Sequence, residues 1–255
     1  MWSVGIFDPY SRRQNEVPNI ANNFVGASLG DIDYTNENIA IEVVSGGVTG
    51  SGYHTGYWDC CKPSCAWIGN SLTDSPVRGC ALDGVTSVDI EEQSGCGDGG
   101  SYMCSDQAPY AVNATFAYGF TAASFVGGTD YSMCCRCLLL EWTEDTNGHQ
   151  FVVQVTNTGG DLLNNQFDLA VPGCGVGYQT QGCVKQWNAP ETGWGQQYGG
   201  VSTEAECDEL PEVLQAGCRF RFEWLNINTP GNLLTFTEVV CPTQVTDISG
   251  CRVSY

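Results

Sequence analysis

The chain has 255 residues, a length that suits one large domain or two small ones. Its 29 acidic and 9 basic residues give a formal net charge of -20, so the surface repels nucleic acid and anionic membranes but tolerates neutral polymers. Fifteen cysteines indicate an oxidising compartment and a disulfide framework, and no apolar run approaches the roughly 20 residues that span a bilayer.

The cysteines point to crosslinks rather than to a metal. The spacing of Cys134, Cys135 and Cys137 does not match a zinc finger, and the chain has only two histidines, His54 and His149. Fifteen is odd, so at least one thiol is free or paired with another molecule. We expect no metal and no cofactor. The N-terminus lacks the pattern of a signal peptide, so we expect a secreted, extracellular protein whose signal has been removed.

The first 50 residues differ from the rest because they contain no cysteine and few apolar runs. The segment 39–44 could form a strand. Residues 46–56 contain five glycines, and we interpret them as a hinge into the main domain. We expect residues 1–52 to form an N-terminal extension packed on a main domain of residues 53–255. A small appended lobe is the alternative.

The main domain opens with a carboxylate, Asp59, set among aromatic rings and cysteines. Three potential crosslinks in six positions would hold this backbone rigidly, as a functional carboxylate requires. Aromatic rings suit a sugar, because the apolar face of a pyranose stacks on them. The alternative is that the rings belong to the core and that Asp59 is a turn acid. The stretch is Tyr57-Trp58-Asp59-Cys60-Cys61-Lys62-Pro63-Ser64-Cys65-Ala66-Trp67.

The region after this stretch is predicted to be mostly loop as far as Cys104. A helix is then expected to begin near residue 105 and to run towards Phe120, with Pro109 in its first turn. Asn113 begins a glycosylation sequon, and a plain polar helix surface is the alternative interpretation of this position.

The second half of the chain carries both strand and helix signals. A capping box from Thr203 to Glu206 predicts a short helix towards Leu214, ended by Gly217. Short apolar or alternating runs predict strands at 134–142, 151–155, 220–224 and 233–240.

Three acids are candidate catalytic groups: Asp59, Asp161 and Asp168. Hydrolysis of a glycosidic bond needs a protonated carboxyl that donates to the leaving oxygen and an ionised carboxylate that activates water or attacks. The two carboxyls must differ in environment so that their pKa values differ. Asp168 follows Phe167 in an apolar setting, which suits the acid, whereas Asp59 lies near Lys62 among polar loop groups, which suits the base. The alternative for each is a turn or capping aspartate.

Other nucleophilic sites are disfavoured. A site of the Ser-His-Asp or Cys-His kind would have to use His54 or His149. His54 lies in the predicted hinge and His149 in a turn, so we expect both histidines to be on the surface.

These residues together resemble a known family. The stretch 57–67 resembles the signature of glycoside hydrolase family 45 endoglucanases, and shorter matches follow in the same order. The resemblance covers about residues 53–255, and residues 1–50 have no counterpart. The shorter matches are Ser94-Gly95-Cys96, Cys104-Ser105-Asp106-Gln107-x-Pro109, Cys134-Cys135-x-Cys137, Thr158-Gly159-Gly160-Asp161 and Phe167-Asp168-Leu169.

The resemblance implies a mainly β fold, a six-stranded double-psi β-barrel with long disulfide-tied loops and a few short helices. It also implies an endo-β-1,4-glucanase that inverts the anomeric configuration, with a β-1,4-glucan as partner, and we expect a monomer. By motif position Asp168 would be the general acid and Asp59 the general base, with Asp161 assisting. An inverting pair should lie roughly 6.5–9.5 Å apart. The residues implied for substrate binding are Thr55, Tyr57, Lys62 and Trp67.

The resemblance further implies seven disulfides and leaves Cys174 without a partner. Gln166 departs from the family, since a histidine often precedes the Phe-Asp pair there. Glutamine cannot carry charge near neutral pH, so we expect carboxylates to dominate the pH dependence. The implied pairs are Cys60–Cys183, Cys61–Cys96, Cys65–Cys134, Cys80–Cys104, Cys135–Cys251, Cys137–Cys241 and Cys207–Cys218.

Two other functions compete with the enzyme. The first is a non-hydrolytic, expansin-like glucan-binding or wall-loosening protein on the same barrel, a group that typically lacks the base. Asp59 is present here within its full signature, which favours the hydrolase. The second is a purely structural, disulfide-rich secreted protein, and it leaves the three acids unexplained.

Overall fold

A computed structural model describes residues 39–254, apart from 72, 74, 129 and 227–231. Among the described residues, its regular elements are seven strands, three α-helices and four short 3₁₀ helices. The strands are β1 (Thr49–Tyr57), β2 (Tyr110–Ala111), β3 (Phe116–Ser124), β4 (Cys137–Trp142), β5 (Gln150–Asn157), β6 (Gln166–Ala170) and β7 (Leu233–Val239). The α-helices are α1 (Gln181–Trp187), α2 (Glu212–Glu223) and α3 (Thr243–Ser249). Among the described residues, none of the helices has the length and hydrophobicity that a bilayer-spanning helix requires.

Six of the strands close into a barrel. The hydrogen-bonded order is β3-β5-β4-β7-β1-β6, and β6 pairs back with β3. Two neighbouring pairs, β1 with β6 and β3 with β5, are parallel, and the other pairs are antiparallel. The short strand β2 extends the sheet beyond β3. The six-stranded double-psi β-barrel implied by the resemblance is therefore confirmed.

Aromatic side chains fill much of the barrel core. Phe167 and Phe236 lie with ring centroids 5.0 Å apart, and Trp142 stacks on Phe151 at 6.4 Å. Each of these side chains is buried, and burial of a large apolar side chain stabilises a fold by about 2–3 kcal/mol. The alternation along β6 sends Phe167 and Leu169 into this core and leaves their neighbours on the opposite face.

The disulfide framework is confirmed at every predicted pair, and all seven crosslinks are formed. Cys174 is the free cysteine, and its side chain is buried. The crosslinks join loops to barrel strands over long separations, such as 123 residues for Cys60–Cys183. Such closures stabilise loop-rich regions mainly by restricting the unfolded chain.

The helix predicted from residue 105 towards Phe120 is wrong. A single 3₁₀ turn occupies Ser105–Gln107, and the chain then enters β2 and β3. The Asn113 carboxamide accepts hydrogen bonds from the backbone N–H groups of Thr115 and Phe116, which closes the turn between the two strands. Asn113 thus lies in a turn and not on a helix surface.

The strand predicted at 220–224 is also wrong, because this stretch ends α2. Phe220 and Trp224 stack four residues apart, with ring centroids separated by 5.0 Å. Gly217 lies inside this helix and does not end it. Glycine is needed there for close packing, since a Cβ would approach Ala108 to 2.7 Å and Pro172 to 2.9 Å. The capping box at Thr203 is confirmed, although it opens the 3₁₀ helix Glu204–Glu209.

The hinge predicted at 46–56 is largely the barrel strand β1. Glycines are needed in it for close packing, since a Cβ on Gly52 would lie 2.2 Å from the Asn165 carbonyl oxygen. The segment 39–44 makes an isolated bridge from Val43 to Val239 and no strand. The barrel starts at Thr49, ahead of the expected boundary at residue 53. Residues 1–38 lie outside the described part, so the packed N-terminal extension stays a prediction.

Both histidines differ from expectation, because neither is a fully exposed surface residue. His54 lies in the barrel, where its Nδ1 accepts a hydrogen bond from Trp142 Nε1 at 2.9 Å. Burial lowers the pKa of His54 to about 4, so this imidazole is neutral at physiological pH. His149 is partly buried against Trp224 and pairs with Asp145 at 2.7 Å.

Candidate active site

Two parallel strands bring the candidate residues together. In the register of β1 and β6, Tyr53 lies opposite Gln166 and Thr55 opposite Asp168. Side chains two residues apart lie on the same face of a strand, so both pairs share one face. His54 occupies the opposite face of β1. Residues 113 positions apart in sequence are thereby adjacent.

Asp168 is partly buried in the middle of β6. Its Oδ1 accepts a hydrogen bond from the Thr55 hydroxyl. Burial raises the pKa of Asp168 to about 6; the Thr55 hydrogen bond opposes this rise, and the charge of Asp161 adds to it. The carboxyl therefore holds a proton at mildly acidic pH, as a general acid requires.

Asp59 follows the end of β1 in a tightly fixed turn. Its Oδ1 accepts a hydrogen bond from the Cys61 backbone N–H at 2.9 Å, and Cys60 between them has a φ of 62°. A left-handed conformation is unfavourable for a side chain other than glycine. The crosslinks Cys60–Cys183 and Cys61–Cys96 hold both cysteines of this turn.

The environments of Asp59 and Asp168 are more alike than predicted. Burial raises the pKa of Asp59 to about 6 as well; the hydrogen bond from the Cys61 backbone N–H opposes this rise without cancelling it, and the charges of Asp168 and Asp161 add to it. The expectation that polar loop groups hold the pKa of Asp59 low is therefore wrong. Because the two carboxyls repel each other when both are charged, the pair tends to retain one proton.

Asp161 lies in the loop between β5 and β6, and its side chain is exposed. Its charge acts on both of the other carboxyls. The start of this loop is attached to the signature stretch, because the Thr158 backbone N–H donates to the Ser64 hydroxyl at 2.8 Å. The three predicted acids thus form one electrostatic group.

Tyr57 is buried beside the acids. Its phenol oxygen accepts a hydrogen bond from Asn157 Nδ2 at 3.0 Å, while Asn157 Oδ1 accepts from the Ser64 backbone N–H at 2.9 Å. Burial and the nearby charge of Asp59 raise the pKa of the Tyr57 phenol. Tyr57 therefore supports the site from within, and Asn157 connects it to the signature stretch.

Lys62 supports the ring of Trp67. Its ammonium donates to the backbone oxygens of Ile90 at 2.6 Å and Glu92 at 2.9 Å, and it lies 4.1 Å from the Trp67 ring centroid. The side chain of Lys62 is only 5% exposed, so its charge is committed to these contacts. Trp67 borders an open cavity of about 670 Å³ that the three acids do not line. The other lining residues are Asp89, Glu91, Glu92, Gln93, Ser94, Gly97, Asp98 and Gly99.

Sequence reasoning missed several residues that position the acids, among them Tyr53, Asn157 and Gly182. The alternation of Tyr53, Thr55 and Tyr57 would have revealed the first, had the glycine-rich stretch been interpreted as a strand. Gly182 in α1 had no sequence signal, because its role depends on the packing of the helix against the Asp59 turn. In the described part of the chain, no group of three or more His, Cys, Asp or Glu side chains could hold a metal ion.

We predict that Gly182→Ala lowers kcat/KM by roughly 10- to 100-fold, because it displaces the turn that holds Asp59, the candidate base, and small displacements of a catalytic group are costly. A Cβ at this position would lie 2.2 Å from the Asp59 carbonyl oxygen and 2.6 Å from Cys96 Sγ, so the Asp59 turn must move. Steady-state kinetics on a soluble glucan would measure this loss. Gln181→Ala, an exposed change in the same helix, is the control. Equal kinetics for the two variants would contradict the packing argument.

Comparison with known proteins agrees with this architecture. The family model for glycosyl hydrolase family 45 matches residues 51–252. A protein of Phaedon cochleariae named endoglucanase is 49% identical over 230 residues, covering 89% of this chain and 94% of that protein. An endoglucanase of Cryptopygus antarcticus is 48% identical over 214 residues, covering 83% of this chain and 94% of that protein. The crystal structure of a cellulase from this Antarctic springtail matches with a TM-score of 0.76 and 47% identity, over 81% of this chain and 99% of that chain.

Proposed function

The chain belongs to glycosyl hydrolase family 45, and from this premise we propose that it is a secreted, monomeric endo-β-1,4-glucanase that hydrolyses internal bonds with inversion. It is a glycoside hydrolase, and the names of two relatives, each matched over 94% of its length, support the endoglucanase activity. Seven disulfides are consistent with secretion. The observation that carries the proposal is the coupled pair of partly buried carboxyls, Asp59 and Asp168.

In the proposed reaction Asp168 is the general acid and Asp59 the general base. The Asp168 proton passes to the glycosidic oxygen as the bond from that oxygen to the anomeric carbon breaks. Water attacks the anomeric carbon from the opposite face and gives a proton to Asp59. The roles are assigned from the motif positions, since burial raises both pKa values to about 6. Asp161 assists through its charge, which helps to keep one proton on the pair.

The proposed substrate contacts differ in kind. Trp67 is the stacking platform, since its ring borders the open cavity. Lys62 supports this ring from behind, and Tyr57 and Thr55 act by holding the acids in place. Four acidic residues line the cavity, which favours a neutral glucan over an anionic one.

The proposed function is tested by incubating the intact protein with barley β-glucan and carboxymethylcellulose and measuring reducing-sugar release. We expect release from both, with a rapid fall in viscosity because internal bonds are cut. Proton NMR of the first products should show the α-anomer, which is the outcome of inversion at a β-linkage. Initial β-anomers would contradict inversion. Binding of glucan without release would favour the expansin-like alternative.

A further inference from the structure

The side-chain amide of Gln166 has an orientation that its neighbours determine. Its Oε1 lies 3.0 Å from the Tyr53 hydroxyl and 2.8 Å from the Leu163 backbone nitrogen. A backbone N–H can only donate, so the amide atom facing it must be the oxygen. The other end of the amide is therefore the NH₂ group.

This NH₂ group points at Thr55. Gln166 Nε2 lies 3.0 Å from Thr55 Oγ1 and, having no lone pair to offer, must donate to it. The Gln166 amide hydrogen occupies one of the two lone pairs of the Thr55 hydroxyl, and the single hydroxyl hydrogen is donated to Asp168 Oδ1.

We propose that Gln166 is a positioning residue, which turns the Thr55 hydroxyl towards Asp168 Oδ1 and so leaves Oδ2 as the atom that carries the transferable proton. A proton on Oδ1 would face the Thr55 hydrogen directly, whereas Oδ2 is unaffected by that contact. The inference rests on the proposed function of Asp168 as the acid. It identifies which carboxyl oxygen must face the glycosidic oxygen.

The arrangement also has an electrostatic consequence. A hydroxyl held as a donor to Asp168 stabilises the ionised carboxylate, whereas a hydroxyl free to turn can accept a hydrogen bond from the neutral acid. The charge of Asp161 also acts on this carboxyl, and the charge of Asp168 in turn acts on Asp59, the Tyr57 phenol and the Cys174 thiol. These groups are unchanged by substitution at Gln166, provided the loop holding Asp161 stays in place.

The test is an NMR titration of the Asp168 carboxyl carbon, assigned by its loss in Asp168→Asn. For Gln166→Met we expect its pKa to rise by at least half a pH unit, because Thr55 is no longer held as a donor. For Thr55→Val we expect a rise of about one pH unit, since a hydrogen bond to a charged group is lost. The alkaline limb of the pH–rate profile should move in the same direction.

The direction in which the pKa of Asp168 shifts distinguishes a positioning role of Gln166 from a displacement of the loop that carries Asp161. Gln166→Met also removes the hydrogen bond to Leu163, and a displaced Asp161 would lower the pKa of Asp168 instead. Tyr53→Phe and Thr55→Ser are the matched controls, since the first leaves the Leu163 N–H that orients the Gln166 amide and the second keeps the hydroxyl, and both should titrate as the wild type. A lowered or unchanged pKa in Gln166→Met would overturn the inference.

Failure of the proposed function gives a different result. The titration needs no substrate, so it reports on Gln166 even if the wild-type protein releases no sugar. If the wild-type protein released no product, the proposed glucanase activity would be refuted. If the pKa of Asp168 in Gln166→Met equalled the wild-type value, only the positioning role of Gln166 would be refuted.

Discussion

Asp168→Asn is expected to lower the rate of glucan hydrolysis by a factor on the order of 100 or more while making the folded protein more stable at neutral pH. The amide cannot donate the proton that the leaving oxygen needs, and general-acid catalysis typically contributes this much. The Asn carbonyl oxygen can still accept the hydrogen bond from the Thr55 hydroxyl. The loss should therefore fall on kcat more than on glucan binding.

The gain in stability follows from the raised pKa of Asp168. Burial raises it from 3.8 to about 6, so between these pH values the folded state binds more protons than the unfolded state. The wild type therefore loses stability as the pH rises from about 4 through 6, by up to about 3 kcal/mol at pH 7. Asparagine is neutral throughout and avoids this loss.

Melting temperatures at pH 4 and pH 7.5 would measure this effect. We expect the two proteins to melt together at pH 4 and the variant to melt roughly 5 °C or more higher at pH 7.5. Glu191→Gln, at an exposed acid, is the control and should shift neither value. A variant retaining more than a tenth of the activity would exclude Asp168 as the acid. Equal melting temperatures of the wild type and Asp168→Asn at pH 7.5 would contradict the claim that the buried charge of Asp168 destabilises the fold.

Removal of the Cys60–Cys183 crosslink is expected to cost both stability and activity. The crosslink closes a separation of 123 residues, and the chain-entropy account gives about 5 kcal/mol for a single loop of that length, less where other crosslinks shorten it. Cys60 has a φ of 62° next to Asp59, so without the bond the turn can relax to a more favourable backbone conformation. Asp59 would then lose its fixed position.

The matched comparison is the Cys207–Cys218 crosslink, which closes only 11 residues. Its removal, as Cys207→Ala with Cys218→Ala, should cost about 3 kcal/mol and spare the kinetics of the folded fraction. Cys60→Ala with Cys183→Ala should lower kcat at least tenfold even at temperatures where the protein is fully folded. Thermal melting followed by near-ultraviolet circular dichroism measures the loss of stability, and kinetics at low temperature measure the loss of kcat. Equal kcat values for the two double variants would contradict the placement of Asp59 by its crosslink.

Strands with clear patterns were predictable, and those shaped by distant contacts were not. The apolar runs of β4, β5 and β7 predict strands from the local sequence alone. By contrast, every residue of β3 is buried because the barrel places partners on both sides of it, so apolar and polar residues do not alternate along it, and the helix predicted from residue 105 was extended into it. The glycines of β1 resembled a hinge because the aromatic rings that pack against them come from β6 and β7.

The candidate site divides in the same way. Asp59, Asp161 and Asp168 were found through motifs, each of which is continuous in sequence. The chain from Tyr53 through Gln166 to Thr55 could not be found, since it depends on a parallel register between residues more than 100 positions apart. The similar environments of Asp59 and Asp168 were also hidden, because burial depends on the loops that cover them.

The buried thiol of Cys174 has a consequence for the lifetime of the crosslinks. A thiolate exchanges with disulfides, whereas a thiol does not, and burial raises the pKa of Cys174 to about 11. At neutral pH the folded molecule therefore carries almost no reactive thiolate. Unfolding returns the thiol to an ordinary pKa of about 8.5 and exposes it to every crosslink. This thiol can therefore reshuffle the disulfides only after the barrel has opened, so that each thermal unfolding event also risks a permanent covalent rearrangement.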